Sequence, residues 1–291
     1  MRASRVVVTN LSAVAGRRRA RARTHASSSS DSTMEVLQFP ALSDNYGFAI
    51  RCARTNAVAL VDAPEEDAIA RALDAAKWPA PSAMLNTHWH GDHVGANEGL
   101  RKRFPGMTVH APKAEVGKIG GRVDVEVSEG DVVRVGELEC EVRETPGHTL
   151  GHVVYHFKAH ERVFVGDTLF APDYGTARCD FPGGDAKVLF QSVKKLLAFP
   201  PETRIFLCHD YLPGGRELQL ETSVAAERES NIHVHEGVDE ASFVTMRTER
   251  DATLSMPVLI LPSVQVNMRA GALPPAEDNG MRYLKIPLNA F

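Results

Sequence analysis

Thr87-His88-Trp89-His90-Gly91-Asp92-His93 places four metal-capable side chains within six residues, His88 to His93. Imidazole and carboxylate are ligands that suit zinc, iron and manganese. In an extended segment His88 and His90 point to the same side, because side chains alternate with period two. Asp92 and His93 then turn a second pair toward a neighbouring point. The stretch is therefore built for two adjacent metal positions. Ala83-Met84-Leu85 precedes it and Asn86 ends that apolar run, so the cluster belongs to the loop after a buried strand.

Distant partners argue against a merely histidine-rich polar loop. Thr145-Pro146-Gly147-His148 follows the apolar alternation of Leu138 to Val142. Val163-Phe164-Val165-Gly166-Asp167 ends an apolar strand in an aspartate, and Ile205-Phe206-Leu207-Cys208-His209-Asp210 does the same with a histidine. Each sits where a strand gives way to a loop, which is where rigid scaffolds present functional groups.

With these residues in order, the chain resembles the metallo-β-lactamase superfamily over residues 34 to 291. The HxHxDH motif, the later histidine, the bridging aspartate and the final histidine are all present. The resemblance implies an α/β fold, the αβ/βα four-layer sandwich. It also implies one metal site from His88, His90 and His148, and a second from Asp92, His93 and His209. Asp167 would bridge the two.

Residues 1 to 33 differ from the rest. They hold seven arginines, one acid (Asp31) and the run Ser27 to Ser30, which is the composition of an organelle transit peptide. The serine run favours the chloroplast over the mitochondrion. Without this segment 26 basic and 36 acidic residues remain, a net charge of about −10, which argues against a nucleic-acid partner. No apolar run approaches the ~20 residues that span a bilayer, so no membrane partner is expected. Oligomeric state is not legible.

The four cysteines form no CxxC pair, which fits a reduced compartment. Cys208 adjoins His209, but the site already has its ligands, so ligation by Cys208 is the lesser reading.

From Met34 onward short strands are expected at 34–39, 47–52, 57–62 and 83–85, then at 108–111, 123–127, 132–135, 138–143, 152–157 and 163–165. Pro64 opens a helix through Lys77, with Asp62 as a cap, and 96–103 is a short helix. Asp185 caps a helix whose Val188, Leu189, Val193, Leu196 and Leu197 face inward. The catalytic domain is expected over 34–210. Residues 211–291 form a C-terminal lobe able to cover the cleft, with helices at 221–230 and 239–250 and extended runs at 259–262 and 283–287. His152, His156 and His160 read as structural or exposed, and His233 and His235 as lobe surface.

Two divalent ions (zinc, iron or manganese) about 3.5–4 Å apart would activate a metal-bound hydroxide and polarise a carbonyl. Asp92 and Asp167 would be the catalytic carboxylates. Leu42-Ser43-Asp44-Asn45-Tyr46-Gly47, Asn86-Thr87-His88 and 145–152 look like glyoxalase II, the hydroxyacylglutathione hydrolase. This implies hydrolysis of a glutathione thioester. From Tyr174 the chain departs: 176–185, His209-Asp210-Tyr211, Asn231 and 264–271 look like persulfide dioxygenases. That alternative implies a single Fe(II) held by His88, His148 and Asp167, the facial triad. Both imply a glutathione conjugate as the small-molecule partner, with Arg178, Tyr211 and Asn267 as candidate contacts. A non-catalytic binding protein on the same fold is the third reading, against which the full ligand set stands.

Overall fold

The structure is a computed structural model that describes residues 23–25, 33–254, 265 and 273–285. Seven strands form the first sheet, in chain order: β1 (Arg23–His25), β2 (Met34–Ala41), β3 (Asn45–Cys52), β4 (Val58–Val61), β5 (Ala83–Leu85), β6 (Thr108–Pro112) and β7 (Val125–Val127). Six form the second: β8 (Val132–Val135), β9 (Leu138–Glu144), β10 (Val153–Phe157), β11 (Arg162–Phe164), β12 (Arg204–Phe206) and β13 (Glu221–Ser223). The helices are α1 (Glu66–Ala76), α2 (Gly91–Val94), α3 (Asn97–Arg103), α4 (Ala186–Leu197), α5 (Val224–Ser230) and α6 (Glu240–Thr253).

The period-two pattern of the strands explains the layers. Met34, Val36, Phe48, Ile50, Val61 and Leu85 of the first sheet face Val142, Tyr155, Phe164 and Phe206 of the second, in one inter-sheet core. The alternate residues Leu37, Phe39, Leu60 and Met84 pack outward on Ile69, Leu73 and Leu100 of α1 and α3. On the other side Val154, Val163 and Ile205 pack on Leu189, Val193 and Leu196 of α4 and on Phe243 of α6. Helices, sheet, sheet, helices is the expected αβ/βα sandwich. Phe48 meets Phe164 edge-on at 5.2 Å, and Phe164 stacks on Phe206 at 4.7 Å, so aromatic packing joins the sheets.

Parallel pairing fixes where the site forms. β4 and β5 are parallel, as are β11 and β12. Their C-terminal ends deliver Asp62, the loop from Asn86, the Gly166-Asp167 turn and the Cys208-His209 turn to one edge. Open α/β sheets bind their ligands outside the carboxyl ends of strands. Gly166 has φ +46, and a Cβ there would lie 2.6 Å from Thr87 Oγ1, so the turn that presents Asp167 requires glycine.

Several boundaries depart from expectation. α1 begins at Glu66 after Glu65, and Asp62 is not its cap. It ends at Ala76, one residue short of the expected Lys77, whose left-handed φ of 55 makes it the C-cap. Residues 221–223 are a strand rather than helix: they pair antiparallel with β12, and Ser223 then caps α5. Asp185 does cap α4, accepting from the Val188 amide, but Val188 itself is exposed. The expected extended run at 259–262 lies outside the described residues. Residues 281–285 have no regular secondary structure. Arg23–His25, inside the expected transit segment, add an edge strand to β2. Among the described residues no helix is long and apolar enough to cross a membrane.

Candidate metal centre

The predicted ligands come together. His88, His90, His148 and Asp167 each offer a donor atom, all within 4.8 Å of one another. His93, Asp167, Cys208 and His209 form a second such group. Asp167 belongs to both. Its Oδ2 lies 3.3 Å from His148 Nε2 and 3.9 Å from His88 Nε2. Its Oδ1 lies 3.3 Å from His93 Nε2 and 3.4 Å from His209 Nε2. Asp92 Oδ2 is 3.3 Å from His93 Nε2 and 3.4 Å from His209 Nε2, which places it against the second group although it is not within it.

Outer hydrogen bonds fix which imidazole nitrogen faces inward. Thr87 donates its amide to Asp62 Oδ1 and its hydroxyl to Asp62 Oδ2, each at 2.8 Å. With its proton spent there, the hydroxyl accepts from His88 Nδ1 at 3.0 Å, and the His88 Nε2 lone pair turns inward. His93 Nδ1 donates to the same Asp62 Oδ2 at 2.8 Å. His148 Nδ1 donates to the Arg178 carbonyl at 2.8 Å. His90 Nδ1 then lies 3.0 Å from His88 Nε2 and 2.9 Å from His148 Nε2. Three imidazole nitrogens this close need a proton or a cation between them.

These residues fit a metal. Buried His93 Nε2 has no hydrogen-bond partner, although carboxylate oxygens lie on two sides of it. Burial keeps His88 and His148 neutral, with pKa below the ordinary range, and holds His90 down at about 3. Neutral imidazole is the metal-binding form. Burial opposes charge on Asp92 and Asp167, yet His93 and His209 hold both carboxyls well below their usual range. Burial works against a proton on His93 and His209 as well, but the carboxylates win, lifting His93 above its normal range and His209 to about 10. Two carboxylates in a buried pocket demand positive charge, which protons on these histidines or bound cations can supply.

Three supporting residues escaped sequence reading. Asp62 braces both Thr87 and His93. Buried Glu115 accepts the Trp89 amide and the Gly151 amide, each at 2.9 Å, tying the HxHxDH loop to the His148 loop. Burial pushes its pKa up. Asn45 donates to Asp92 Oδ2 at 3.0 Å. His152 is buried and structural: its Nε2 accepts the Asp167 amide at 3.1 Å. His233 is buried too, not lobe surface, and accepts the Thr176 amide at 2.9 Å.

The candidate substrate contacts divide. Arg178 pairs with Asp180 at 2.6 Å and lies over the Phe181 ring, whose edge meets His90 at 5.4 Å. Tyr211 stacks parallel to His209 at 5.7 Å and on Tyr174 at 4.4 Å, with 41% of its surface exposed beside the site. Asn267 lies outside the described residues. His90 and Asp92 are partly exposed while the other ligands are buried, so the mouth opens on their side.

A model of the metallo-beta-lactamase superfamily matches residues 46–209, a span that contains every ligand named above. The chain belongs to that superfamily. Among its similar members is a protein of Burkholderia pseudomallei (strain 1710b) named "Probable metallo-hydrolase". It is 49% identical over 231 residues, 72% of this chain and 79% of its own. A hydroxyacylglutathione hydrolase of Chelativorans sp. (strain BNC1) is 45% identical over 189 residues, 65% of this chain and 71% of its own. The crystal structure of ETHE1 from Myxococcus xanthus matches with a TM-score of 0.68 and 31% identity, over 80% of this chain and 99% of that one. On this superfamily fold, the histidine–aspartate cluster implies a metal cofactor.

Proposed function

We propose that the chain hydrolyses a glutathione thioester at a two-metal centre, with zinc, iron or manganese as the metal. The observation that carries this is Asp167 standing between two complete donor groups, one carboxylate oxygen toward each. Bound divalent metals would supply an acidified water and a positive charge for the developing oxyanion. The chain's own residues do the rest. Asn45 holds Asp92 Oδ2 at the mouth, where it can orient the attacking water and take up its proton. Water oxygen bonds to the acyl carbon, the carbon–sulfur bond breaks, and glutathione leaves as the thiol with a hydroxy acid as co-product. Arg178, Tyr211 and Asn267 are assigned to the glutathione moiety. The likeness to the hydroxyacylglutathione hydrolase of Chelativorans supports this reading.

One observation favours a second reading, glutathione persulfide oxidation at a single Fe(II) held by His88, His148 and Asp167. Phe181, in the segment that resembles persulfide dioxygenases, packs on both His90 and His148, at 5.4 and 5.9 Å. The likeness to ETHE1 points the same way. Zinc does no redox chemistry, so metal and activity must agree. Metal analysis is joined to S-lactoylglutathione loss and to oxygen uptake with glutathione persulfide on one sample. Two metals with thioester loss are expected. One iron per chain with persulfide-dependent oxygen uptake and no thioester loss installs the second reading.

Residues 1–33 are assigned to organelle import, with the chloroplast as destination. A reporter carrying them is expected to enter the organelle and be cleaved, and a reporter left whole in the cytosol overturns the assignment.

A further inference from the structure

The turn that carries His209 runs on into residues 211–219, none of which is buried. Leu212, Gly214 and Gly215 have φ of 50, 66 and 75, so this loop holds left-handed backbone without an apolar anchor of its own. A polar clasp fixes it instead. Asp210, whose side chain is fully buried, accepts the Leu212 amide at 3.3 Å and the Gln219 amide at 2.7 Å. Its two oxygens also accept from Arg216 Nη1 and Nη2, each at 2.8 Å. The other edge of the same guanidinium, Nε and Nη2, donates to the two oxygens of Asp173 at 2.5 and 2.8 Å. Both edges of one planar fork are filled, each by a carboxylate from a different loop. Asp173 is followed by Tyr174 and Asp210 by Tyr211. Those two rings stack at 4.4 Å, and Phe170 meets both edge-on, at 5.7 and 5.9 Å.

We propose that Arg216 is a positioning residue for the substrate: by clasping Asp173 to Asp210 it holds the Tyr174–Tyr211 stack as a preformed wall beside the metal centre. This rests on the assignment of Tyr211 to the glutathione moiety above. A wall set in advance spares the ligand the entropy of ordering two side chains. Lysine cannot take the place of the fork, because a point charge has no two edges to offer to two carboxylates. Neither Asp173 nor Asp210 belongs to the metal-donor groups. Opening the clasp therefore weakens binding and leaves the metal ligands in place.

Calorimetry with reduced glutathione on the full, metal-loaded chain reads this out without turnover. Arg216→Lys and, separately, Asp173→Asn should weaken binding about ten-fold, with metal content unchanged. The Asp173 side chain is 43% exposed, so its variant folds even where an Arg216 variant does not. Y211A should weaken binding too, and R216K with Y211A should be no weaker than Y211A alone, because Arg216 acts through that ring. With S-lactoylglutathione, KM should rise while kcat keeps its parent value. Parent-like binding in both clasp variants, or losses that add in the double variant, overturns the proposal. So does a fall in metal content and kcat at unchanged KM, the mark of a merely structural role. Clasp variants that weaken glutathione binding to a parent chain that cleaves no thioester overturn the hydrolysis reading and leave the clasp standing. A parent chain that does not bind glutathione overturns both.

Discussion

Asp62 and His93 are 31 residues apart in the chain and 2.8 Å apart in the fold, Oδ2 to Nδ1. The carboxylate makes Nδ1 the donor and leaves Nε2 bare for the metal. It also carries Thr87, and through Thr87 the ring of His88. One aspartate thus orients a ligand of each metal position.

Asp62→Asn should keep the loop and lose the ligand orientation. Asparagine tolerates the φ of 60 found here and can still accept the Thr87 amide. Its amide nitrogen cannot accept from His93. Loss of such an outer partner typically costs 10–100-fold in metal affinity or activity. Competition with a chelator measures it, and unchanged affinity would reduce Asp62 to a brace for the loop.

Asp167→Ala removes the oxygen pair common to both donor groups. Metal content should fall and turnover should drop to background. Metal analysis after gel filtration, beside a rate measurement, checks it. Full metal content with full rate would contradict the bridging role.

Asp251→Ala reaches the site from α6. Asp251 Oδ1 pairs with buried Arg247 at 2.6 Å, and Oδ2 accepts the Cys179 amide at 2.8 Å. Arg247 in turn donates to the Thr176 carbonyl at 3.1 Å. Between these two anchors sits the Arg178 carbonyl that holds His148. Removing one partner of a buried pair strands the other charge, at about 3–5 kcal/mol. Denaturant unfolding should show a loss of that size.

Glu227 sets a pH dependence. Its side chain is fully buried, and burial raises its pKa from 4.5 to about 7, against the pull of an Asn231 hydrogen bond. The folded chain therefore binds a proton that the unfolded chain releases. Stability is full below pH 4.5 and declines as pH rises through about 7. The shift amounts to roughly 3 kcal/mol at 1.36 kcal/mol per unit. Unfolding across pH 5–8 should show the decline in the parent chain, and Glu227→Gln should flatten it.

What could be read in advance follows from periodicity and locality. His88, His90 and His93 share one loop, and His148, Asp167 and His209 each follow an apolar strand, so all were legible. Their supports were not. Asp62 sits just before Pro64 and two glutamates, a sequence that reads as a helix start. Its backbone is left-handed and turns the carboxylate inward instead. Glu115 lies in a charged stretch, Lys113 to Lys118, that reads as surface. Only the packing of two loops shows why it is buried. Glu221 to Ser223 runs straight into the helical Val224 to Ser230 and reads with it, but it pairs with the edge of β12 as a strand. Val188 reads as part of the buried stripe of α4, but it lies exposed while Ala186, in the same first turn, packs against the core.

The ligands do not come from one half of the sandwich. His88, His90, Asp92 and His93 ride on the first sheet, while His148, Asp167 and His209 ride on the second. Any ion held by both sets works as a rivet across the seam that Phe48, Phe164 and Phe206 close from below. Shearing one sheet against the other would pull the donors out of reach before it broke a strand. The same rivet ties the chemistry to the mechanical integrity of the whole sandwich, so a substitution deep in the aromatic seam can silence the enzyme without touching a ligand.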